Sequence, residues 1–110
     1  MSTLGVRAAL FATAICLAAV SAASAAGDAQ SGQRLAERWC AACHVVARSG
    51  SGSDTAPPFA EIAARKPFDE GMLRAWLTAP HPPMPNPSLS RREIDDVIAY
   101  LASLRPPSGP

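Results

Sequence analysis

Two cysteines separated by two residues, with a histidine directly after the second, constrain this chain more than anything else in it: Cys40-Ala41-Ala42-Cys43-His44. Two thiols about one helical turn apart can add to the two vinyl groups on one edge of a haem, and the histidine that follows is then carried under the iron. Cys-x-x-Cys-His therefore predicts c-type haem attachment, and the small Ala41 and Ala42 allow a porphyrin edge to lie close to the backbone. The same residue types permit other chemistry. The cysteines suit a disulfide, and with His44 and His81 they make a possible four-ligand zinc set. A thiol-disulfide enzyme would place its cysteine pair near a βαβ pattern, which this sequence lacks.

Residues 1–26 read as a secretory signal. Arg7 supplies a basic start, residues 8–20 are unbroken apolar and small side chains, and Ala23-Ser24-Ala25 has the small residues that signal peptidase reads. The apolar run is short of the ~20 residues that a membrane crossing needs. No stable membrane anchor is expected after cleavage, and the mature protein is expected in the periplasm as one domain over residues 27–110. Cys16 leaves with the signal, so two cysteines remain. Of ten basic residues Arg7 also leaves, and 9 − 9 gives a mature net charge near zero. No basic stripe points to nucleic acid. A chain this small buries too little of its own surface to be stable in comfort, so a cofactor that serves as part of the core is expected.

The pattern along the rest of the chain is helical. Residues 27–39 carry Ala29, Leu35, Ala36 and Trp39 at amphipathic spacing, with Asp28 placed to cap. Residues 47–58 are rich in Ser, Gly, Asp and Pro and read as loop. Residues 59–64 allow one or two turns of helix, and residues 69–78 a longer one with Met72, Leu73, Trp76 and Leu77 as its apolar stripe. On that stripe Met72 is expected in the core. The run Pro80-His81-Pro82-Pro83-Met84-Pro85-Asn86-Pro87 lacks backbone donors and is expected as a stiff, extended loop. Ser90-Arg91-Arg92-Glu93 is a capping box, and Ile94, Val97, Ile98 and Leu101 form the apolar face of the helix that follows. No alternating strand pattern is present, so the fold class is all-α, three to five short helices around one cofactor.

With these motifs the mature chain resembles the class I cytochromes c along nearly all its length. Gly32 matches the glycine that lets a carboxy-terminal helix cross the family's opening helix, and Val97-Ile98-Ala99-Tyr100-Leu101 is similar to the helix that crosses there. Ala36 stands where many relatives have phenylalanine. The resemblance implies that Cys40 and Cys43 hold one haem c covalently and that His44 is an axial ligand whose ring N–H is accepted by the Pro57 carbonyl. It further implies that Trp76 and Tyr100 contribute to the haem pocket. For the second axial ligand the candidates are Met84, Met72, His81 and Lys66. Met84 is preferred, because it lies in the proline-stiffened loop before the last helix, where the family's methionine lies.

The resemblance implies a soluble periplasmic electron carrier, not an enzyme, that exchanges electrons with donor and acceptor proteins. Two other readings use the same haem chemistry. One is a cytochrome subunit of a periplasmic oxidoreductase complex, and the other is a haem peroxidase, which requires an open iron face.

Overall fold

A computed structural model describes residues 27–50, 53 and 55–109. The expected signal segment lies outside them. Among the described residues four helices follow one another: α1 (Ala29–Trp39), α2 (Phe59–Ala64), α3 (Glu70–Thr78) and α4 (Arg91–Ser103). No strand is present among the described residues.

Each long helix starts where its sequence offers an oxygen to the unpaired N–H groups of the first turn. The Asp28 carboxylate accepts the Ser31 N–H at 2.6 Å and opens α1. Asp69 does the same for the Met72 N–H at 2.9 Å and opens α3. At α4 the capping box forms in full, with the Ser90 N–H on Glu93 Oε2 at 2.8 Å and the Glu93 N–H on Ser90 Oγ at 3.3 Å. The hydrogen bonds from the Ser31 and Ser90 N–H groups hold the Asp28 and Glu93 carboxyls below their ordinary values.

The core lies where α1 crosses α4. Ile94, Val97, Ile98, Tyr100, Leu101 and Leu104 are buried there together with Ala36, which has no exposure at all. Burying a large aliphatic side chain is worth roughly 1.5–3 kcal/mol, whereas the partly exposed Arg74–Asp95 ion pair between α3 and α4 is worth about 0–1 kcal/mol. The apolar face therefore sets the position of α4, and the ion pair adds little to it. The crossing is close because two positions carry no side chain. A Cβ on Gly32 would stand 1.9 Å from the Asp96 carbonyl oxygen, and one on Gly27 would stand 2.0 Å from that of Asp95. Asp96, itself buried, accepts the Asp28 N–H at 2.7 Å and so ties the start of α1 to the middle of α4.

Two expectations about exposure are corrected. Trp39, read as part of the apolar face of α1, is 53% exposed, with the Arg38 guanidinium 5.0 Å from its ring centre. Gly32 and Ala36 are the buried residues of that helix, and Trp39, seven residues beyond Gly32 and so on nearly the same side, stands at its last position. On α3 the stripe divides: Leu73 and Leu77 are buried, while Met72 and Trp76 are 40% and 37% exposed. Neighbours i and i+1 differ by about 100° around a helix, so a stripe this wide cannot face α4 along its full width. Met72 therefore lies off the side of α3 that Leu73 and Leu77 turn toward the core. The proline-rich loop also departs from a uniformly extended path, since the Met84 N–H donates to the His81 carbonyl at 2.9 Å. Pro82 and Pro83 occupy the middle of that turn and have no N–H to offer, which leaves Met84 as the donor that closes it.

Two outcomes test this account. Gly32→Ala places a methyl group against a backbone oxygen that cannot yield without moving α4. The haem-loaded variant is expected to lose at least ~2 kcal/mol in guanidinium unfolding, the upper part of the overpacking range. For the caps the sign follows from the depressed carboxyls: their contribution is present above the ordinary values of 3.8 and 4.5 and is lost as pH falls through the lower folded values. An Asp28→Asn/Glu93→Gln variant, which keeps cap geometry without titrating, is expected to show a shallower fall in melting temperature below pH 4.5 than the parent.

Candidate haem site

The segment after α1 turns tightly. The Cys40 N–H donates to the Ala36 carbonyl at 2.8 Å, and the Cys43 and His44 N–H groups donate to the Cys40 carbonyl at 3.1 and 2.9 Å. This turn sets both thiols and the imidazole on one short stretch of backbone. Both cysteines are free thiols, Cys40 buried and Cys43 partly so. Burial in apolar surroundings pushes the Cys40 thiol up to about 11.

The following loop folds back on the motif. The Ala56 N–H reaches the Cys43 carbonyl at 2.9 Å and the Phe59 N–H reaches the Val45 carbonyl at 3.0 Å. Between these anchors the Pro57 carbonyl lies 2.7 Å from His44 Nδ1. A carbonyl only accepts, so Nδ1 carries the proton and Nε2 keeps its lone pair. A fixed acceptor behind the ring is what a metal-bound histidine requires for its orientation and basicity. Phe59 stands edge-on to the imidazole with ring centres 5.3 Å apart and meets Tyr100 on its other side at 6.3 Å. The Tyr100 hydroxyl donates to the Val46 carbonyl at 2.7 Å. Burial raises the Tyr100 phenol above its ordinary value.

His44, Pro57 and Tyr100 are thus joined through Phe59 and the loop backbone. Phe59 was visible in the sequence only as the apolar residue after two prolines, and its support of the His44 ring comes from the fold. Trp76 and His81 form a second pair with ring centres 5.1 Å apart, and Met84, joined to His81 by the backbone bond of the turn, is partly buried against the core. Among the described residues no three His, Cys, Asp or Glu side chains gather to hold a metal ion, so the zinc reading of Cys40, Cys43, His44 and His81 gains nothing from the fold.

These residues fit a covalently held haem. Two unpaired thiols sit a turn apart, the adjoining imidazole has its Nδ1 proton committed and its Nε2 lone pair available, and the partly exposed Met72 and Trp76 offer apolar surface. The cytochrome c family model matches residues 29–105, from the first residue of α1 to just beyond α4. The chain belongs to the cytochrome c family. It is similar to cytochrome c-552 of Bradyrhizobium diazoefficiens, with 45% identity over 93 residues that cover 84% of this chain and 89% of the relative. No solved structure matches it. Family membership implies covalent haem c and electron transport, and the all-helical fold of the described residues agrees with the expectation from sequence.

Removing the Tyr100 hydroxyl leaves the Val46 carbonyl without its buried donor. Tyr100→Phe is expected to cost about 1–3 kcal/mol in denaturant unfolding while the protein keeps its full haem content.

Proposed function

We propose that this cytochrome c is a soluble periplasmic electron carrier, released from residues 1–26 by signal peptidase, in which Cys40 and Cys43 bind one haem and His44 and Met84 are its axial ligands. The observation that carries the proposal is the 2.7 Å contact between His44 Nδ1 and the Pro57 carbonyl beside two free thiols. It turns a sequence motif into an oriented iron ligand. Among the described residues no helix is long and apolar enough to cross a membrane, and the apolar, alanine-rich start of the chain has the pattern of a cleaved export signal.

Haem bound in this way supplies a one-electron iron couple. The residues around it have the task of holding its ligands still, so that gain or loss of an electron requires little movement. Pro57 and Phe59 hold the His44 ring from two sides. Pro82, Pro83 and Pro85 restrict the backbone on either side of Met84, so little entropy is lost when its flexible thioether is fixed. A methionine partner raises the potential relative to two histidines, which makes this a high-potential carrier. Donor and acceptor are redox proteins.

Expression with the cytochrome maturation machinery tests the reading. The full-length chain is expected to give red protein whose haem stays with the polypeptide on a denaturing gel and whose first residue lies near position 27. A Cys40→Ala/Cys43→Ala variant is expected to lose the haem stain. Met84→Ala is expected to change the visible spectrum and lower the midpoint potential, within the ~0.8 V span that axial ligands govern. An unchanged spectrum and potential in that variant would remove Met84 as ligand, and haem extracted by acid acetone would overturn covalent attachment.

A further inference from the structure

A concave feature lies beside α2 and the end of α4, with Arg65 bordering both it and the surface of Met72 and Trp76. A cleft of about 320 Å³ is lined by Ala63, Ala64, Arg65 and Lys66 after α2 and by Arg105 with residues 106–109 after α4. It includes none of Cys40, Cys43, His44 or Met84. Its volume is at the lower end of small-molecule sites, ~300–1,000 Å³. Three cations line it and no carboxylate does, in a protein whose mature charge is close to zero.

The ordinary explanation for cations at this place is that α2 and α4 both end here, and helix C-termini favour positive charge. The hydrogen bonds argue for more. The last carbonyls of α4 already have donors: Ser103 Oγ serves Tyr100, the Leu104 N–H serves Leu101, the Arg105 N–H serves Ala102 and Arg48 Nη2 serves Ser103. At α2 the Arg65 N–H serves Ile62. The side chains of Arg65, Lys66 and Arg105 are not used for this purpose, and among the described residues the one ion pair is Arg74 with Asp95. The Arg105 guanidinium instead lies 5.0 Å from the centre of the Phe68 ring. A guanidinium resting on an aromatic face has lost part of its freedom before any ligand arrives. Ser108 adds a hydroxyl to the lining, and Pro106 and Pro107 stiffen that wall.

We propose that this cleft binds a phosphate-type oxyanion, with Arg65, Lys66 and Arg105 as its charged donors and Ser108 as a neutral one. Guanidinium groups match such anions with paired N–H donors, and lysine adds a point charge. The shape favours a compact anion over a flat acidic protein surface, because the cations line a recess. The same phosphate chemistry occurs in free phosphate and in a phospholipid headgroup.

The test uses the haem-loaded protein. Inorganic phosphate is titrated at constant ionic strength against chloride while backbone amide NMR shifts are followed, and sedimentation with phosphatidylglycerol vesicles is measured in parallel. Saturable shifts confined to residues 63–66 and 105–109, weakened about tenfold or more in Arg65→Gln/Lys66→Gln, establish a site for free phosphate. That variant leaves the Arg105–Phe68 contact intact, and Arg91→Gln/Arg92→Gln serves as a control that keeps the shifts. Vesicle binding that the same variant abolishes and phosphate competes away assigns the cleft to a headgroup. Shifts that are linear, equal in chloride or unchanged in the cleft variant, with no vesicle binding, overturn the proposal. An acidic peptide that produces the cleft shifts when phosphate does not would also overturn it.

Discussion

The close crossing of α1 and α4 is the constraint on which the rest depends. Gly27 and Gly32 bring the backbone of α1 against the carbonyls of Asp95 and Asp96, at a separation that no side chain would allow. Ala36, one turn further along, is wholly buried at the same seam. Its small methyl group lets the helices stay near each other beyond the glycine. With the crossing settled, the C-terminal end of α1 has a fixed direction, and the Cys40–His44 turn that continues it is placed before any loop is considered.

From that seam the support of the site runs outward through α4. Tyr100 packs beside Gly32, and its hydroxyl pins Val46 just after the attachment motif. Phe59 fills the space between Tyr100 and His44. A loop of polar and flexible composition, residues 45–56, is closed at its base by backbone bonds from Ala56 and Phe59. The imidazole is thereby held by groups that are far apart in sequence, and its tautomer follows from a single carbonyl. Trp76, His81 and Met84 reach their places through α3 and the proline-rich turn. Leu73 and Leu77 hold α3 against the core and leave Met72 and Trp76 turned away from it.

Helix positions were legible in the sequence because local chemistry determines where helices start. Asp28 and Ser90 announce two starts, Asp69 proved to be the cap of a helix read as beginning with it, and the apolar spacing of α4 names its buried face before any packing is known. Side-chain exposure was less legible. Trp39 and Met72 are apolar residues at plausible core spacing, yet neither is buried against a neighbouring helix, since a helix has more apolar positions than one neighbour can cover. The turn at Met84 was hidden for a related reason: proline content shows which donors are missing and cannot show which remaining N–H closes a turn.

By itself the sequence determined the attachment motif, the helical class and the family, because each of these depends on residues near one another along the chain. Only the tertiary structure decided that Phe59 stands between His44 and Tyr100, that Tyr100 spends its hydroxyl on Val46 and that Arg65, Lys66 and Arg105 share one cleft. Those relations join residues up to 54 positions apart. Distance along the chain carries no information about such pairs until the helices have crossed and excluded every other arrangement.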